Sequence, residues 1–79
     1  MSNVSELTVE FKEVCLKADT KAIESYRLEG FVPGREFSFF DFWLTPKGEL
    51  KSASKSFLDL DEPDRTELIH LGTMLIHKL

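Results

Sequence analysis

One cysteine, three prolines, two histidines and no long apolar run set the first limits on this 79-residue chain. The lone Cys15 excludes an internal disulfide, and no cluster of Cys and His offers the ligands of a tetrahedral zinc site. A chain this short is near the lower limit at which a single core offsets chain entropy, so without either staple oligomerisation is the expected remedy. Nothing approaches the roughly 18 apolar residues of a membrane span. The opening MSNVSELTVE has neither the basic region nor the apolar core of a secretory signal, so a cytoplasmic chain without membrane attachment is expected. Positive charge is also short: 10 Lys and Arg against 14 Asp and Glu leave −4, which repels phosphate backbones and makes nucleic acid an unlikely partner.

What is present describes one folded domain spanning residues 1–79, since 42% hydrophobic residues and seven Phe are enough to form a core. Over residues 4–29, Leu7, Phe11, Val14, Ala18 and Ala22 are spaced four, three, four and four apart, one stripe of a helix. Asn3 with Glu6 could cap it and Gly30 close it, or Asp19-Thr20 could end one helix and cap a second. A rival reading takes the alternation of Leu7-Thr8-Val9-Glu10-Phe11 as a strand; the longer helical stripe outweighs it.

Val32-Pro33-Gly34-Arg35 has Pro and Gly at the two central positions of a type II turn. The aromatic run Glu36–Thr45 then reads as a strand, and Thr45-Pro46-Lys47-Gly48 as a hairpin connection into a weaker strand, Glu49–Phe57. Leu50, Ala53 and Phe57 also fit helical spacing. Asp61 is the expected N-cap of a last helix, with Pro63 in its first turn, Glu62 and Asp64 at the positive end of its dipole, and Leu60 packing at its start. The expected class is therefore α+β in the order α-β-β-α, an antiparallel hairpin packed by an N-terminal and a C-terminal helix.

Within the last helix Thr66-Glu67-Leu68-Ile69-His70 recurs seven residues later as Thr73-Met74-Leu75-Ile76-His77. On a helix the repeat gathers Leu68, Leu71, Gly72, Leu75, Ile76 and Leu79 on one apolar face, with Thr66, His70, Thr73 and His77 opposite. One other helix and a thin hairpin cover such a face poorly, so it reads as a homodimer seam, with this chain's own sheet as the rival occupant.

Few residues are spaced for chemistry. His70 and His77 stand about 10 Å apart along the axis, too far to share one ion. Cys15 beside Val14 reads as packing, with no local base or oxyanion motif to activate it. Asp59-Leu60-Asp61-Glu62-Pro63-Asp64 starts like a calcium loop but puts Pro63 at a ligand position. No metal and no cofactor are expected, and a small enzyme ranks third among the function classes.

Arg35-Glu36-Phe37-Ser38-Phe39-Phe40-Asp41-Phe42 resembles the aromatic strand motif of RNA-recognition domains, with Glu36 where that motif has Gly and Ser38 where it has Gly or Ala. The resemblance implies single-stranded nucleic-acid binding through stacked aromatics, the second-ranked function. The first-ranked reading uses the same strand differently. Alternation puts Phe37, Phe39, Asp41 and Trp43 on one face and Ser38, Phe40, Phe42 and Leu44 on the other, while a bulge near Phe39-Phe40 would gather the rings inside. A small domain buries one such face, and the other becomes a protein-binding surface. Asp59, Asp61, Glu62, Asp64 and Glu67 add an acidic patch suited to a basic partner surface. The expected function is a non-enzymatic, dimeric, acidic protein-binding regulator, in its most concrete form an inhibitor or antirepressor that occludes a DNA-binding protein or an enzyme.

Overall fold

A computed structural model describes residues 6–35 and 38–79. They form strands β1 (Thr8–Leu16), β2 (Ile23–Phe31), β3 (Phe39–Leu44) and β4 (Leu50–Ala53), then helices α1 (Lys55–Leu58) and α2 (Glu62–Ile76). The strands pair antiparallel in chain order, β1-β2-β3-β4, as a meander. The α+β class holds, but the α-β-β-α order does not. The segment read as an N-terminal helix is the β1–β2 hairpin.

The physical reason is a pair of register breaks. Phe11 pairs with Leu28 and Glu13 with Arg27, so Lys12 is an extra residue on β1. A bulge of this kind returns Val14 to the face of Phe11 at a spacing of three, which imitates a helix. Asp19-Thr20 caps nothing helical. It builds the hairpin turn, where the Thr20 amide donates to Asp19 Oδ1 at 2.7 Å, the Ala22 amide donates to Thr20 Oγ1 at 3.2 Å, and Lys21 takes φ 63°. Gly30 is not a helix terminus. It lies inside β2, where a Cβ would stand 2.9 Å from Leu68 Cδ2, so the missing side chain lets α2 approach the sheet.

Other expectations match what forms. Pro33-Gly34 turns the chain with Gly34 at φ 82°, and the Val32 amide closes on the Ser38 carbonyl at 2.9 Å. Gly48 at φ 87° completes the turn into β4, with the Thr45 amide on the Glu49 carbonyl at 2.8 Å. Residues 49–57 divide between the two readings: Leu50–Ala53 is strand, then Ser54 caps α1 by accepting from the Phe57 amide at 3.3 Å. Asp61 is the N-cap residue of α2, but its side chain makes no capping bond. It lies 3.7 Å from Arg35 Nη2, which is also 3.4 Å from Asp64 Oδ2 and so ties the Pro33-Gly34 turn to the start of the helix.

α2 crosses one face of the sheet. Leu28, Phe42, Leu44, Phe57 and Leu68 are fully buried there, each contributing about 1.5–3 kcal/mol by leaving water. Phe57 of α1 stacks on Phe42 with ring centroids 4.8 Å apart. The centre of the apolar face read as a dimer seam packs inside the chain instead. Leu68, Gly72 and Ile76 are buried against this chain's own sheet, and a Cβ on Gly72 would meet Leu28 Cδ1 and Leu44 Cδ1, each at 3.0 Å. Leu71 and Leu75 are half-buried against the same core, and Leu79 is exposed. Four strands supply the cover that a two-stranded hairpin lacks. The opposite stripe of α2 faces outward at Thr66, His70 and His77, whereas Thr73 donates to the Ile69 carbonyl at 2.8 Å beside Gly48.

Candidate functional site

Both helices lie on the core side, which leaves the other face of β1, β2 and β3 without a helix over it. β3 populates that face by simple alternation. Its pairing with β2 runs without a break from Phe31–Phe39 to Tyr26–Leu44, so no bulge gathers the rings inside. Phe40, Phe42 and Leu44 are buried, while Phe39, Asp41 and Trp43 point away from the core, as the alternation predicts. Phe37 lies outside the described residues.

The register lays the outward residues in rows across the strands. One row is Thr8, Phe31 and Phe39; the next is Glu10, Glu29 and Asp41; the third is Glu13, Arg27, Trp43 and Ser52. Phe39 is 62% exposed and its ring centroid lies 5.2 Å from that of Phe31. Lys12, pushed out by the bulge, lies 3.6 Å from both Glu10 and Glu29. Arg27 lies 3.9 Å from Glu13 and 3.7 Å from Asp41 Oδ2. Asp41 Oδ1 is shielded from solvent and has no hydrogen-bond partner among the described residues.

Of this face, sequence reasoning found only the β3 residues. Glu10, Lys12, Glu13, Arg27 and Glu29 were hidden in the segment read as helix and Phe31 just beyond it, although the alternation of Thr8-Val9-Glu10-Phe11 carried the signal.

The acidic residues at the start of α2 lie on the other side of the sheet and do not join the β3 aromatics in one surface. Asp59 pairs with Lys55 at 3.2 Å and Asp61 and Asp64 flank Arg35, so part of that patch is neutralised internally. Glu62 and Glu67 make no ion pair among the described residues. Cys15 sits half-buried on β1, while His70 lies exposed on α2 and His77 is the exposed residue that ends it. Among the described residues no group of three or more His, Cys, Asp or Glu is placed to hold a metal ion, and no helix is long and apolar enough to cross a membrane. An open groove of about 290 Å³ between β1 and α2 is lined mainly by Leu7, Val9, Leu71, Met74 and Leu75.

Compared with known protein families, curated proteins and solved structures, the chain matches none of them.

Proposed function

We propose that the protein is a non-enzymatic binding module that works by contacting another protein through the helix-free face of its sheet. The observation that carries this reading is Phe39, a large ring 62% exposed at the start of β3 and paired with β2, with Phe31 against it and Trp43 further along. Aromatic residues on a rigid element lose little entropy on binding and dominate binding hot spots. The acidic balance of the chain favours partners with basic surfaces, including those that otherwise hold DNA, which keeps a cytoplasmic inhibitor or antirepressor as the concrete form. Single-stranded nucleic acid is the second reading, and it has less support because Glu10, Glu13, Glu29 and Asp41 stand among the rings where phosphates would run.

Tagged protein recovered from its native host should bring down a partner, and Phe39→Ser should reduce that capture by about tenfold or more while melting like the parent chain. Capture that survives both Phe39→Ser and Trp43→Ser removes this face as the contact. A single-stranded oligonucleotide retained on a filter at low salt by the parent chain, and released by Phe39→Ser, would put the second reading first.

Self-association is proposed through the apolar residues that α2 leaves uncovered beside β1, namely Met74 at 47% exposure with half-buried Leu71 and Leu75, together with Leu79, 65% exposed beyond the helix. Sedimentation at micromolar concentration should give a dimer mass. A monomer across that range ends the proposal.

A further inference from the structure

The row Glu10–Glu29–Asp41 sets three carboxylates directly opposite one another on three neighbouring strands. Like charges in this relation repel and destabilise a sheet. Two cations moderate the repulsion, and each is shared between two acids: Lys12 between Glu10 and Glu29, Arg27 between Glu13 and Asp41. Four carboxylates against two cations leave the face two negative charges in excess. The contacts are also long, at 3.6–3.9 Å, whereas a charge-assisted hydrogen bond closes to roughly 2.7–2.9 Å. Acceptor capacity therefore remains on the carboxylate oxygens that solvent reaches, and the Asp41 side chain is 36% exposed.

We infer that this face takes a cationic polypeptide segment, extended, with arginine or lysine between apolar residues. The assignment rests on the reading of this face as the contact surface and adds the chemistry of what lies on it. Charge complementarity selects that occupant over its rivals. A second copy packed face to face would double the excess, setting eight carboxylates against four bases, and a phosphate backbone would add to it. A cationic segment reverses the sign of the interaction.

The spacing agrees with the charge. An extended chain presents side chains to one side about every 6.6–6.8 Å, the interval that also separates Phe39, Asp41 and Trp43 along β3. A segment lying along β3 with the pattern apolar-x-Arg-x-apolar sets its guanidinium beside Asp41 Oδ2, which the 3.7 Å contact with Arg27 leaves room to accept, and its apolar groups over the two rings. Trp43 adds an aromatic face beside that cation.

The test uses the full chain labelled for backbone amide NMR and three synthetic peptides: one carrying Leu-x-Arg-x-Leu, one with Leu in place of Arg, and one with Glu in its place. The Arg peptide should saturate shifts confined to β1, β2 and β3, and Asp41→Asn should weaken it about tenfold, a loss that shrinks as salt is raised. The Glu peptide should not bind. If the Leu peptide binds this face as tightly as the Arg peptide, the face remains a contact surface but the cationic assignment falls. Shifts lying elsewhere, no binding by any of the three, or an Asp41→Asn variant that keeps its fold and full affinity also overturn it. Failure of the contact surface itself reads out separately, as partner capture that survives Phe39→Ser and Trp43→Ser.

Discussion

Gly72→Leu should cost the fold about 3 kcal/mol and lower its unfolding midpoint clearly below that of the parent chain. The helix gains propensity from the change, about 1 kcal/mol relative to glycine, so the sign depends on space. Space is absent. Even a Cβ at this position would touch Leu28 Cδ1 and Leu44 Cδ1 at 3.0 Å and Phe42 Cε2 at 3.3 Å, and leucine sends three more carbons into the same contact between helix and sheet. A 79-residue domain holds about 4–12 kcal/mol in total, so the loss is a large fraction of it. Urea unfolding followed by circular dichroism measures it directly. A variant that keeps the parent midpoint would mean that α2 does not seat on this sheet through Gly72.

Phe42→Ala should be at least as damaging, at about 3–5 kcal/mol. Phe42 is fully buried at the point where every layer meets: it pairs with Leu28 on β2 and Ala53 on β4, stacks on Phe57 of α1, and lies beneath Gly72 of α2. Removing the ring leaves a cavity that backbone strands on both sides cannot collapse to fill. Phe39→Ala, three residues earlier on the same strand, is the control. Its ring is 62% exposed, and its loss should stay within about 0.5 kcal/mol. Equal losses at the two positions, measured by urea unfolding, would contradict the inward and outward alternation of β3.

Those two phenylalanines also mark what the sequence made legible. β3 alternates without a break, so its buried and exposed faces could be assigned from residue order, and with them Phe39, Asp41 and Trp43. The turns at Pro33-Gly34 and Thr45–Gly48 could be read because each needs a glycine at positive φ in a fixed place. β1 and β2 could not. Their register slips once between Phe11 and Glu13 and again between Cys15 and Leu16, and each slip moves the apolar residues off a period of two. The charged half of the candidate face was lost with them. The repeat in α2 shows a different limit: periodicity defines an apolar face but not what lies against it. Once the sheet is counted as four strands, the face around Leu68, Gly72 and Ile76 needs no second chain.

All four strands precede the helix that covers them. On the ribosome this order has a cost. Leu28, Phe42 and Leu44 are synthesised, and their strands can begin to pair, before Leu68, Gly72 and Ile76 exist to shield them from water. Domains fold as units during synthesis, and this unit cannot close until α2 has emerged from the exit tunnel. Until then the nascent chain offers an apolar sheet to whatever is near. A translation product halted before Leu68 is thus a client for chaperones and proteases rather than a partly built domain.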